Sequence, residues 1–430
     1  MSEVEKAKIT RRKYLKYGGG IIAVAVVAAA GYGIYEATKP KAIPKLTLMM
    51  FSSPETDWIE KMAQTYREKT GVDITFDVIS RETYWDKLDT TLLSKSPEVD
   101  IVTMHAPMLG DWAKVGAVEP LSRYLEDSKL FPYDVNSYLP AAIEGAKYKG
   151  DVYGLPLWFS TEFMYYRKDL IKDPSRLKTW DGFLETAKEF TKSNNPNSPT
   201  DYGTTMYGKK HIEQVMEWVV YYWSFGGRFP TFNSPEAIKA LQFYVDLFLK
   251  HKVVPPDADT YVWEHTFNAF KFEKVALSIN WDANYLANWH ETFGDNLGIM
   301  PTPAVSGGNP AAYSLTWVIA INAFSKMKEE AFKFISWLTA DPDAVHTVSG
   351  LGLPVPSTYI LAPDVLKAKP HWELMVEYVR KWGFAELAIP GWKKVREILI
   401  VHLADAMAGT ATPEEALNAA QKEVDAALEG

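Results

Sequence analysis

A chain of 430 residues exceeds the size of one ordinary domain, so two lobes or domains are expected. Hydrophobic residues make up 47% and charged residues 23%, a soluble globular balance, and the net charge of −8 speaks against a general nucleic-acid binder. Cysteine is absent, which excludes disulfides, thiolate metal sites, cysteine nucleophiles and a lipid-modified cysteine at a signal junction.

At the N-terminus, Lys6, Lys8, Arg11, Arg12, Lys13 and Lys16 precede an apolar stretch from Ile21 to Ile34. A basic region followed by an apolar one is the export pattern, and Ala28-Ala29-Ala30 offers a small-residue cleavage site. The run Thr10 to Lys16 also resembles a twin-arginine signal. With Gly18 to Gly20 and Tyr35 added, the segment approaches the length of a spanning helix. A retained anchor is therefore preferred to a cleaved signal, since no cysteine is present to take a lipid tether. The chain would then face the outside of the cell membrane, or a periplasm where an outer membrane exists. Residues 1–44 are read as signal or anchor plus a stiff linker, Lys39-Pro-Lys-Ala-Ile-Pro-Lys45.

The body opens with a strand, Leu46 to Phe51, and then Ser53-Pro54-Glu55, a helix start with proline in its first turn. Trp58, Ile59, Met62, Ala63 and Tyr66 recur at helical spacing up to Gly71, and Val72 to Val78 alternate as a strand does. A helix carrying Tyr84, Leu88 and Leu92, a buried strand Asp100 to Met104 and a helix Met108 to Val115 follow. This β-α-β-α-β order specifies an α/β sheet, which binds ligands at the carboxyl ends of its strands. Ser52, Ser53, Glu55 and His105 fall there. A strand Phe163 to Tyr166 precedes three helices, Asp181–Thr191, His211–Phe225 and Pro235–His251. Strands return at Val275–Asn280, Leu297–Met300 and Thr316–Asn322, and Thr412 with Glu415 forms a capping box for the last helix. No nucleophile elbow, zinc helix, phosphate loop or dinucleotide fingerprint is present, and nothing calls for a cofactor or metal.

Five stretches in order resemble the family 1 extracellular solute-binding proteins, the group that includes maltose- and trehalose-binding proteins. They are Asp100 to Leu121, ending Gly116-Ala-Val-Glu-Pro-Leu121; Tyr153 to Trp158 running on to Tyr165-Tyr-Arg-Lys-Asp-Leu170; Thr179-Trp-Asp-Gly-Phe183; Lys274 to Trp281; and Thr316 to Ile321 followed by Ala331 to Trp337. The resemblance spans about Leu46 to Leu428. It implies a two-lobed, periplasmic-binding-protein-like α/β fold, each lobe a mostly parallel sheet flanked by helices, with hinge crossings and a ligand cleft. The crossings would lie near 158–162, 297–303 and 340–344. The first lobe would comprise 45–158 plus 302–341 and the second 159–300 plus 343–430.

The function so implied is that of a monomeric, non-enzymatic receptor of an ABC importer. It would capture a sugar by hinged lobe closure and deliver it to membrane permease subunits. A sugar needs aromatic platforms for its C–H faces and convergent polar groups for its hydroxyls. The resemblance assigns the platforms to Trp281 and Trp317, with Trp158 at the crossover and Trp392 after Ile389-Pro-Gly. Polar partners are expected from Ser160 and Glu162 on the crossover, from Asp282 beside Trp281, and from His211 with Glu213 at a helix start. The bland alternatives are core packing for each tryptophan and capping for the serines. Relatives place charged residues where this chain has Met104-His-Ala-Pro-Met108, and an arginine that 384–390 lacks, so no particular sugar carries over. Rival readings are a same-fold receptor for a polyamine or glycerol phosphate, and a secreted glycoside hydrolase using acids such as Glu162 and Asp282.

Overall fold

The strand and helix pattern is realised around two apolar cores. The computed structural model describes residues 44–80, 83–281, 284–351 and 355–429. The apolar segment 21–34 and Asp282 lie outside the described residues. Among those described, no helix is long and apolar enough to cross a membrane.

In chain order come β1 (Lys45–Phe51), α1 (Pro54–Thr70), β2 (Asp73–Ile79), α2 (Tyr84–Leu93), β3 (Ile101–His105) and α3 (Leu109–Lys114). After short turns of helix follow β4 (Leu155–Arg167), α4 (Trp180–Glu189), α5 (Ile212–Ser224), α6 (Pro235–Leu249), α7 (Trp263–Lys271) and β5 (Leu277–Trp281). The rest comprises α8 (Asn284–Phe293), β6 (Leu297–Met300), β7 (Ala312–Ile321), α9 (Lys328–Ala340), α10 (Pro342–Leu351), α11 (His371–Trp382), β8 (Gly383–Phe384), α12 (Trp392–Met407) and α13 (Pro413–Glu429). Local chemistry sets the ends. Gly71 stops α1 because it adopts φ +76° and returns its N–H to the Arg67 carbonyl, a conformation that a side chain would strain. At α13, Thr412 Oγ1 accepts the Glu415 N–H at 3.2 Å while the Glu415 carboxylate accepts the Thr412 N–H at 2.9 Å, a reciprocal cap.

The strands form one mixed sheet in the order β2-β1-β3-β7-β4-β5, with β8 joined to β7 and β6 to β4. Parallel pairing is confined to β2-β1-β3 and the short β8–β7 contact. The expected mostly parallel sheets are corrected here: β3–β7, β7–β4, β4–β5 and β4–β6 are all antiparallel, because the chain passes back and forth between the cores. The thirteen-residue β4 is the main crossing. Its first half pairs with β7 through Thr161, and its second half, from Glu162, pairs with β5.

One core gathers α1, α2, β1, β3, α9, α10 and α11 and also takes residues of α7, α8 and β6; the other gathers α4, α5, α6, α12 and α13. Residues 344–379 pack into the first core through Val345, Val348, Ile360, Trp372 and Val379. Asp341 alone separates α9 from α10 and caps it by accepting the Ala344 N–H at 2.9 Å. Toward the C-terminus the chain leaves the first core after Val379 and joins the second at Phe384.

Candidate ligand cleft

Period two along a strand decides which side chains share a face. On β4, Trp158, Ser160 and Glu162 share one face. Across the antiparallel ladders Trp158 lies opposite Trp317, Ser160 opposite Leu315, and Glu162 opposite Trp281. On β3, His105 lies opposite Trp317 in turn. One face of the crossing strands thus carries His105, Trp317 and Trp158 toward the first core, Ser160 in the middle, and Glu162 with Trp281 toward the second.

The first-core end is aromatic. Trp158 and Trp317 stack at 4.9 Å with planes 18° apart, and Trp85 stacks on Trp317 at 5.8 Å and 24°. Phe51 lies 4.8 Å from Trp317, and the His105 ring meets it edge-on at 4.2 Å. Trp158 and Trp317 are buried by these neighbours, whereas Trp85 is only half-buried and offers an accessible ring. Sequence reasoning missed Trp85. Its signal was an aromatic lying off the Tyr84–Leu88–Leu92 stripe that α2 buries.

The second-core end is aromatic and acidic. Trp281 is buried beside Tyr313, with ring centroids 5.7 Å apart, and Tyr313 is a further residue the sequence did not point to. Glu162 is 0% exposed, and neither carboxylate oxygen has a hydrogen-bond partner among the described residues. Burial holds it well above the usual carboxylate range, and the Glu217 and Glu213 carboxylates add to the shift. On α5, Glu217 Oε2 accepts the Tyr207 N–H and the Tyr244 hydroxyl, both at 2.7 Å, yet burial still pushes it up to about 8.

Glu217 makes a pH prediction. Its folded value lies above its ordinary 4.5, so the folded chain holds a proton that the unfolded chain releases between pH 4.5 and 8. Its contribution to stability is present at low pH and is lost as pH rises through that window, by up to about 5 kcal/mol. Glu217→Gln should flatten the decline of urea-unfolding stability between pH 5 and 8; a slope equal to that of the parent would contradict the assignment.

The other candidates divide. Ser52 is exposed, with its N–H donating to the Ile79 carbonyl at 2.8 Å. Ser53 stands at the N-cap of α1, but its hydroxyl makes no capping bond and lies 3.5 Å from Thr56 Oγ1. Glu55 is half-buried in the first turn of α1, and Ser160 is half-buried in mid-β4. His211 is exposed and caps α5, its Nδ1 accepting the Glu213 N–H at 3.5 Å. Trp392 is 1% exposed and packs in the second core, edge-on to Phe229 at 5.3 Å, with its indole N–H donating to Glu386 at 3.2 Å. The same Glu386 carboxylate takes the Arg396 Nε–H at 2.6 Å, and Arg396 Nη1 lies 3.4 Å from His105 Nδ1. An open groove of about 350 Å³ lies where α2 and α3 meet the start of α12, around Asp89, Trp112, Gly391 and Lys393.

A face of strands shared by two α/β cores carries aromatic rings and, among the described residues, an acid without a hydrogen-bond partner, which makes it the candidate ligand site. The sequence profile described as bacterial extracellular solute-binding protein matches residues 61–374, and the chain belongs to that family. A binding protein of Brucella abortus is 26% identical over 399 residues, covering 89% of this chain and 93% of its own length. Among solved structures, maltose-bound MalE3 of T. maritima superposes with a TM-score of 0.75 at 24% identity, covering 89% of this chain and 99% of that one. A solute-binding protein of Agrobacterium radiobacter in complex with ribitol does so with a TM-score of 0.74 at 25% identity, covering 90% and 100%.

Proposed function

We propose that this chain captures a sugar or sugar alcohol between its two lobes and hands it to the permease of an ABC importer, without chemistry on the ligand. The observation that carries this is the shared face of β4, β5 and β7, where Trp158, Trp317 and Trp281 flank Ser160 and the unpartnered Glu162. Rings supply flat apolar contact for C–H faces, and a buried carboxyl without a partner gains from a hydroxyl brought to it. The family and its maltose- and ribitol-bound neighbours support this choice of ligand class. Capture by a single chain held at the membrane through residues 1–44 is part of the same proposal. Ser52, Ser53, Glu55 and His105 complete the first-lobe wall. Asp282 would extend the second.

A ligand seated on this face changes the surroundings of the stacked tryptophans. Titration with maltose, ribitol and mannitol, followed by tryptophan emission, should give a saturable change with at least one of them. A flat response to all three and to a wider panel of mono- and disaccharides would defeat the proposal.

A further inference from the structure

The two cores are bridged a second time between α2, α3 and the start of α12. Asp89, on α2, accepts the Trp112 indole N–H at 2.9 Å within its own core and takes the Lys393 ammonium of α12 at 3.0 Å. Asp111, on α3, accepts the Gly391 N–H at 2.7 Å. Gly110 lies so close to the same strand of chain that a Cβ there would come within 2.6 Å of the Ala388 carbonyl oxygen. Leu88, Leu92, Leu109 and Trp112 root α2 and α3 in the first core, while Val395 and Leu399 root α12 in the second. The contacts to Lys393, Gly391 and Ala388 therefore join one core to the other. The same helices reach the aromatic face: α2 carries Trp85 one turn before Asp89, and α12 carries Arg396 one turn after Lys393, with its guanidinium 3.4 Å from His105.

We propose that Asp89, Asp111, Gly391 and Lys393 form a clasp that holds the two lobes together and sets how long a ligand is retained. The inference rests on the two-lobed capture proposed above. Parting the lobes breaks both bridging bonds, so the clasp favours the joined state before any ligand contact is made. By linkage, that bias multiplies the affinity of whatever binds between the lobes. The Lys393 and Asp89 side chains are 41% and 32% exposed, so salt weakens this half of the clasp, whereas a backbone N–H on a carboxylate is less affected. Lys393 and Asp89 are thus positioning residues, acting through lobe geometry.

A distance measurement without ligand tests this. Because the chain has no cysteine, Val78→Cys on β2 and Leu249→Cys on α6, 44% and 43% exposed, give one spin label on each lobe. Pulsed electron resonance on the ligand-free protein should show a short-distance population that Lys393→Ala lowers by about threefold. Asp89→Ala should lower it to the same degree, and the double variant no further. Added sodium chloride should reproduce the shift in the parent and do nothing to Lys393→Ala. Asp89→Ala also strips Trp112 of its partner, so Lys393→Ala and the salt series carry the test if that variant fails to fold. No short-distance population in the parent, distributions indifferent to Lys393→Ala and salt, or independent additive effects of the two substitutions would each overturn the clasp. No sugar is involved, so this outcome is separate from that of the capture proposal.

Discussion

Trp317→Ala should lower sugar affinity by about 100-fold or more, the loss expected of an aromatic anchor at the centre of a binding face. Trp317 stacks with both Trp158 and Trp85 and meets Phe51 and the His105 edge, so its removal also opens a cavity. The variant should therefore lose about 3 kcal/mol of stability, in the range of buried aromatic truncations. Trp85→Ala separates the two effects. Its ring is only half-buried, so stability should fall far less while affinity still drops several-fold, as read by calorimetry beside a thermal melt. Full affinity in both variants would remove the aromatic end of the face from the site.

Glu162→Gln should move stability and binding in opposite directions. The parent buries a carboxyl with neither oxygen partnered among the described residues, held above the usual range by burial and by Glu217 and Glu213. As pH rises toward 9 the folded chain must keep its proton or bury a charge, and either costs stability relative to an unfolded chain that ionises freely. Gln keeps the shape and never ionises, so the variant should be more stable than the parent at pH 8 to 9 by on the order of 1–3 kcal/mol. Near pH 5 the two should converge. Sugar affinity should fall about tenfold or more, because an amide meets a hydroxyl with different donors and acceptors in a buried site. Such a trade of function against stability is the signature of a residue kept for binding. Unchanged affinity would make Glu162 a buried structural acid.

Much of this arrangement was written in local pattern. β1, α1, β2 and α2 fall within a residue or two of the expected bounds, because Ser53-Pro54, Gly71 and strict alternation mark their ends. β4 was read too short, as Phe163 to Tyr166 rather than Leu155–Arg167. Gly154-Leu-Pro resembles a turn, and a proline brings no N–H to a ladder; the strand absorbs it with a register shift between Pro156 and Trp158. That longer strand is what puts Trp158, Ser160 and Glu162 on one face, so the candidate residues were legible singly and their joint geometry was not. A tryptophan opening a helix, as Trp392 does, reads the same in sequence whether it faces a cleft or a core; here it packs on Phe229. The clasp joins residues some 300 positions apart, Asp89 with Lys393, and no local signal announces such a pair.

Titration calorimetry of the full chain against maltose, ribitol, mannitol and a panel of mono- and disaccharides tests the central claim most directly. The account predicts one sugar bound per chain, with measurable heat, by at least one of these, and loss of that heat in Trp317→Ala and Glu162→Gln. No heat from any of them, or heat that both variants retain in full, would contradict a sugar held on the face shared by Trp158, Trp317, Glu162 and Trp281.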